Sequence, residues 1–339
     1  MNNTSKVLIG LIVIMASVLI VLLVLIFKEK NNQNLTPTTT QKPEQSEIVE
    51  SWPEGKVYLS LSKKNEQQEG TSSIYQYNIK TNKLEKYLSE DNKEKNKNFS
   101  TGQFSTDREK MIFSSSSKED SQIYTVDRDN KKYQQITFSE RESHKRLPSW
   151  SPDQKSIAYQ STYADDYKGY FLGNWDIFIN NLNGNDRFIT KGANPVFLPN
   201  GNLLVLKQNG IYLFNNLDDP NDKGHAIWFS IETPITIGMN LSVSNNGKYL
   251  ALTYPEKVLI FEVNDWSKLS LLNEPTIIKI QASCSVFYPD NKFIIFQEVD
   301  EKNENHQLVV YNIETLEKRN LIDLSEYEQF NTFSIDWTK

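Results

Sequence analysis

From Leu147 to Thr190, apolar and polar positions alternate in short runs broken by turn residues. The runs are Pro148–Ser151, Ser156–Ser161, Trp175–Asn180 and Arg187–Thr190. A period of two over so few residues predicts β-strands rather than helices. Ser151-Pro152-Asp153-Gln154-Lys155 and Asn183-Gly184-Asn185-Asp186 separate neighbouring runs, and both have tight-turn compositions. The plan recurs along the chain. Phe104-Ser105-Thr106-Asp107, Phe197-Leu198-Pro199-Asn200, Val243-Ser244-Asn245-Asn246 and Phe287-Tyr288-Pro289-Asp290 each lead into a second apolar run and then a third. The turn positions Thr106, Pro152, Pro199, Asn245 and Pro289 differ by 46, 47, 46 and 44. A four-stranded unit at this spacing is the signature of a β-propeller.

The ends of the repeat region predict how the ring closes. Trp52-Pro53-Glu54-Gly55 is a turn that runs straight into a second strand at Lys56–Ser60, with no first strand before it. Thr332-Phe333-Ser334-Ile335-Asp336-Trp337 reads as a first strand with nothing after it, and Trp337 occupies the place of Trp150. The two pieces add up to one composite blade. With five internal blades, this predicts an all-β, six-bladed propeller of four-stranded antiparallel blades over residues 52–339. Closure of this kind removes the exposed edges of an open arc.

The amino-terminal pattern differs. Residues 7–27, VLIGLIVIMASVLIVLLVLIF, hold no charge and no proline. About 20 apolar residues span a bilayer core as a helix. The run is longer than a cleaved signal core, ends in Lys28-Glu29-Lys30 without a small-x-small site, and is followed by no lipidation cysteine. The expectation is a short tail at 1–6, a transmembrane signal-anchor helix at 7–27 and a polar, flexible linker at 28–51. Lys6 and the amino terminus on one side balance Lys28 and Lys30 on the other, so charge gives no orientation.

Composition narrows the function. Aromatics reach 12%, which suits pleated, half-buried faces. A net charge of -6 argues against a nucleic-acid partner. One cysteine, Cys284, cannot form an internal disulfide; its place in the strand QASCSVFY marks it as a small buried hydrophobe. His144, His225 and His306 fall in different blades and show no metal-ligand spacing. Asp127-Arg128-Asp129-Asn130 and Asp218-Asp219-Pro220-Asn221-Asp222 are acidic, but neither fits a calcium-loop pattern. No cofactor and no metal is expected.

The repeat Trp150-Ser151-Pro152-Asp153-Gln154-Lys155-Ser156-Ile157-Ala158-Tyr159, followed by Asp176-Ile177-Phe178, resembles the WD40-like repeat of TolB-type propellers. The resemblance covers roughly residues 52–339 and is close only in this unit; Thr106 and Asn245 replace the turn proline elsewhere. It implies an exported body, on the cell-surface or periplasmic side of the membrane, that binds protein or peptide. The same repeat precedes catalytic domains in prolyl-oligopeptidase-like peptidases, but no G-x-S-x-G turn is present and peptidase activity is not expected. The alternative is a propeller enzyme acting on carbohydrate at the channel mouth.

Strand alternation puts the loops between second and third strands on one face, together with the blade-to-blade connectors. The S-P-D-type turns lie on the other face. The first of these faces receives the aromatic insertion Thr162–Leu172, so Tyr163, Tyr167, Tyr170 and Phe171 are candidate binding residues. His144, Lys145 and Arg146 are expected just before the first strand of the same blade. Asn194, Asn240 and Asn331 hold similar positions at the channel rim. The candidate surface is Tyr163, Tyr167, Tyr170, Phe171, His144, Arg146, Asn194, Asn240 and Asn331, with no catalytic residues.

Overall fold

A computed structural model describes residues 52–63, 72–88, 98–116, 120–163, 175–229, 239–268, 274–300, 305–328 and 336–338. The predicted tail, membrane helix and linker lie outside the described residues. So do Tyr167, Tyr170, Phe171 and Asn331. Among the described residues no helix is long and apolar enough to cross a membrane.

The unit from Trp52 to Lys339 is built of four-stranded antiparallel meanders. One begins with Asn98–Phe104, Lys110–Ser116, Ser121–Asp127 and Tyr133–Gln135. The next holds Ser143–Trp150, Ile157–Tyr163, Asp176–Asn180 and Asp186–Lys191. A single parallel pair, Ser121 opposite His144, joins these two into one eight-stranded sheet. The following meanders start at Ala193–Phe197, Asn240–Val243 and Ala282–Phe287.

The remaining meander is composite. Asp336–Thr338 pairs antiparallel with Lys56–Lys63, which continues into Ser73–Asn78 and Lys83–Leu88. Trp337 stands opposite Val57, as Trp150 stands opposite Ile157. The predicted seam is therefore present. A short strand, Tyr327–Glu328, also meets the far end of Lys56–Lys63.

Side-chain alternation explains why the meanders stack. In Lys110–Ser116, Met111 and Phe113 enter a buried cluster shared with Tyr58 and Ile74, while Ile112 enters one shared with Trp150 and Tyr159. Leu203 and Val205 pack toward Ala158 and Ile177; Leu204 and Leu206 pack toward Leu250 and Leu252. Ile294 and Phe296 face Ala251 and Ile260, whereas Phe293 and Ile295 face Val57 and Leu59. Each second strand is thus buried on both faces and reads as a nearly unbroken apolar run. The last meander packs against the first, so among the described residues the row of stacks has a buried apolar cluster at its seam too. At about 1.5–3 kcal/mol for each large side chain, this burial is the main favourable term of the fold.

The first strands are longer than the sequence predicts. The strand expected at Pro148–Ser151 begins at Ser143, so His144, Lys145 and Arg146 lie within it rather than before it. The register shifts between Arg146 and Ser149, and Leu147 there has a positive φ of 51°. This bulge interrupts the alternation that would have revealed the strand. Asn194 repeats it, with φ 51° and a shift between Ala193 and Val196. In Asn98–Phe104 the same place holds Gly102, where a Cβ would meet the Ile112 carbonyl oxygen at 1.7 Å.

The turns between third and fourth strands share a second constraint. Asn82, Lys131, Gly184 and Leu316 each sit four residues after an Asn or Asp and have φ of 53°, 54°, 85° and 59°. Leu316 is 44% exposed, so its side chain offsets little of the left-handed strain. That strain costs about 1–2 kcal/mol in a non-glycine residue.

Two stability measurements follow. Leu316→Gly should raise stability by about 0.5–1 kcal/mol, a Tm gain of about 1–3 °C by calorimetry; a loss of Tm would show that the turn is not strained. Deleting the last eight residues should lower Tm by about 5 °C or more, and a truncated body melting with the full one would refute the seam.

Candidate functional site

The first strands surround a cavity of about 600 Å³. Its wall includes Gln103, Ser149, Asn194, Val196, Asn240, Ser242, Ser285 and Phe287. Its mouth is formed by the turns that follow, with Thr106, Pro152, Pro199, Asn245 and Pro289. These are the positions whose spacing revealed the repeat.

The mouth turns share one architecture. Ser105 Oγ donates to Asp107 Oδ1 at 2.6 Å, and the same oxygen of Asp107 accepts the Glu109 N–H at 3.0 Å. Ser151, Asp153 and Lys155 repeat this at 2.7 Å and 3.1 Å; Ser244, Asn246 and Lys248 repeat it at 2.8 Å and 3.0 Å. The next position, Arg108, Gln154, Gly201, Gly247 or Asn291, has a positive φ in every case. An Asx-type side chain that satisfies the turn backbone explains why Asp and Asn recur here. The hydroxyls of Ser105 and Ser151, together with the neighbouring backbone amides, hold the Asp107 and Asp153 carboxyls below the usual range.

Hydrogen bonds between consecutive first strands tie the wall together. The Trp150 backbone N–H donates to Gln103 Oε1 at 2.8 Å, and its indole N–H donates to the Gln103 carbonyl oxygen at 3.0 Å. The Phe197 N–H donates to Ser149 Oγ at 3.1 Å. Asn194 Nδ2 donates to the Met239 carbonyl oxygen at 3.3 Å. Ser242 and Ser285 share a hydrogen bond of 2.9 Å, and Thr253 Oγ1 donates to Ser285 Oγ at 2.9 Å. These polar atoms of the wall are thus engaged by the neighbouring meander. Buried polar groups need such partners.

Asn194 and Asn240, expected at the rim, line the cavity and are buried. His144 is buried as well, since it lies in a strand; burial and the nearby Arg146 guanidinium lower its pKa, against an opposing pull from Asp120. Among the described residues of the expected surface, Tyr163 at 46% is exposed and Arg146 is half-buried.

At the opposite end of the strands from the mouth turns, the connector 136–142 brings forward residues that sequence reading missed. Arg141 lies over the Tyr163 ring, 4.4 Å from its centroid. Phe138 is 65% exposed. The connector is nevertheless tightly held. Lys145, only 4% exposed, donates from Nζ to Gln122 Oε1 at 3.0 Å, to the Phe138 carbonyl oxygen at 3.1 Å and to Ser139 Oγ. Thr137 Oγ1 donates to Gln122 Oε1 at 2.9 Å and accepts the Ile123 N–H at the same distance. Burial pushes the Lys145 ammonium down. The signal that could have found Phe138 is a lone aromatic leading into the polar stretch Ser139–His144.

Of the other candidates, Cys284 is buried in the cluster joining last and first meanders. Asp222 is wrapped by the N–H groups of Asn215, Asn216 and Gly224 at 3.2, 3.0 and 2.8 Å, which lower its pKa despite partial burial. Among the described residues no three His, Cys, Asp or Glu side chains converge as a metal site.

Comparison with known proteins places the architecture. No known family profile matches the chain, and no curated protein matches it in sequence. Solved structures do. TolB from Acinetobacter baumannii aligns with a TM-score of 0.58 at 16% identity, covering 79% of this chain and 63% of that one. A chain of a nidogen/laminin complex aligns with a TM-score of 0.58 at 10% identity, covering 80% and 95%. The fold is a β-propeller. The periplasmic gluconolactonase PpgL of Pseudomonas aeruginosa also matches, with a TM-score of 0.51 at 12% identity over 80% and 83%. This chain spans less than two thirds of the TolB chain. At these identities the likeness concerns the propeller fold alone.

The mouth turns set an acid limit. Because Asp107 and Asp153 titrate lower folded than unfolded, the stability they add is complete above the ordinary carboxylate range and fades as pH falls through their folded values. Asp107→Asn with Asp153→Asn should therefore flatten the decline of Tm between about pH 5 and about pH 3. Parallel declines in parent and variant would contradict this.

Proposed function

We propose that this chain is a membrane-tethered six-bladed propeller that stands outside the cytoplasm and binds a protein or peptide. The carrying observation is the chemistry of the channel. Among the described residues lining it, the ionisable side chains are Arg108 and Arg128; the rest are hydroxyls, amides, prolines and apolar groups. Arg128 is already engaged by Glu109 at 3.7 Å and Asp129 at 3.3 Å. Hydrolysis or elimination at a sugar calls for positioned carboxylates or imidazoles. A wall of this kind supports binding over turnover. TolB and the nidogen/laminin complex are consistent with a protein partner. The count of six follows from the repeat spacing, with the composite blade as the sixth. The tether rests on residues 7–27, and placement outside the cytoplasm rests on the resemblance to TolB-type proteins.

The binding face in this reading is the one bearing Tyr163, Arg141 and Phe138; Tyr167, Tyr170 and Phe171 remain candidates from the sequence alone. Aromatic and arginine side chains on a rigid support lose little entropy on binding and make strong anchors. The test is crosslinking in native membranes, followed by identification of the attached protein. Phe138→Ala with Tyr163→Ala should leave Tm unchanged and weaken capture by about 2 kcal/mol, roughly 30-fold in Kd. Undiminished capture would remove this face from the proposal. Turnover of an oligosaccharide by the purified chain would replace binding with carbohydrate chemistry.

A further inference from the structure

The chain carries Asn-Gly at Asn183-Gly184, Asn200-Gly201, Asn209-Gly210 and Asn246-Gly247. In an unfolded chain all four are equally prone to spontaneous deamidation, because glycine offers an unhindered backbone nitrogen. In the reaction the glycine nitrogen bonds to the asparagine Cγ and the Cγ–Nδ2 bond breaks. Ammonia leaves with the proton from the glycine nitrogen. Solvent water then opens the succinimide to isoaspartate or aspartate. The carboxamide must swing toward the following nitrogen, and that N–H must be free to ionise.

The fold blocks both requirements at Asn200 and Asn246 and restrains the third site, Asn209. Asn200 Oδ1 accepts the Asn202 N–H at 3.1 Å, while the Gly201 N–H donates to the Leu198 carbonyl oxygen at 2.9 Å. Asn246 Oδ1 accepts from Ser244 Oγ at 2.8 Å and the Lys248 N–H at 3.0 Å, and the Gly247 N–H donates to the Ser244 carbonyl oxygen at 2.8 Å. Asn209 Oδ1 accepts the Tyr212 hydroxyl at 3.2 Å, and Gly210 is fixed in the ladder between Lys207 and Phe229.

Asn183-Gly184 differs. It sits at the tip of the turn between Asp176–Asn180 and Asp186–Lys191 and is exposed. The described residues give no hydrogen bond to the Asn183 carboxamide or from the Gly184 N–H. Nothing lies within 4 Å of where a Gly184 Cβ would be, so the tip has room to rearrange. We infer that Asn183 is a built-in deamidation site, converting to isoaspartate or aspartate while the other three asparagines are protected by the propeller turns. The product adds a negative charge on the turn-bearing face, away from Tyr163.

The test is to incubate the purified full chain at mildly alkaline pH and map peptides by mass spectrometry with isoaspartate detection. Native protein should accumulate product at Asn183 roughly tenfold faster than at Asn200, Asn209 or Asn246, the factor that about 1.4 kcal/mol makes in a rate. In denaturant the four rates should converge. Asn183→Gln should abolish the main product with Tm unchanged. Equal rates at the four sites in the native protein, or a faster rate at any protected site, would overturn the assignment.

Discussion

A meander of this protein cannot cover itself. Its second strand sends successive side chains to opposite sides, as Met111 and Phe113 do against Ile112, and both sides are apolar. Each sheet therefore needs a neighbour on each face, and a row of such sheets always leaves two faces bare. Bending the row until its ends meet is what removes the exposed surface. The cluster that joins Val57 and Leu59 to Ile295, Val310 and Leu324 is that closure in side-chain terms. The pairing of Asp336–Thr338 with Lys56–Lys63 is the same closure in backbone terms. Tyr288 and Tyr77 reinforce it, donating to the carbonyl oxygens of Glu54 and Leu321 at 3.1 and 2.7 Å.

Ring geometry in turn dictates the centre. The first strands converge there and are largely buried, whereas the outermost strands, such as Asp186–Lys191 and Lys318–Asp323, are mostly exposed. Polar residues share the wall with apolar ones, and several are tied to the next meander, as in Gln103 with Trp150 and Ser242 with Ser285. Bulges at Leu147 and Asn194, and the cramped Gly102, bend these strands to fit. The channel is thus a consequence of packing, and its lining reflects that origin.

The two faces of the propeller are built differently. The mouth turns are short, repeated and stapled by Asp or Asn side chains. On the opposite face the connector 136–142 is fastened from beneath by a buried ammonium. Lys145 satisfies the backbone and hydroxyl of Phe138 and Ser139 in a site with little water, which is costly to assemble and hard to loosen. The outcome is an exposed aromatic on a fixed support.

Periodicity in the sequence determined the strands, their spacing, the turn positions and the seam between Trp52 and Trp337, because these depend on local alternation and on residues that tolerate turns. It also marked Cys284 as core. Tertiary structure alone decided the fate of the candidate side chains. His144 and Asn194 look like rim residues only if their strands start later than they do; bulges at Leu147 and Asn194 hide the true beginnings, and Asn240, which opens its strand in regular register, is buried as well. The same holds for Asn-Gly, where four identical dipeptides acquire different chemistry. Which atoms a side chain meets across a ring is a non-local fact, and no alternation along one strand encodes it.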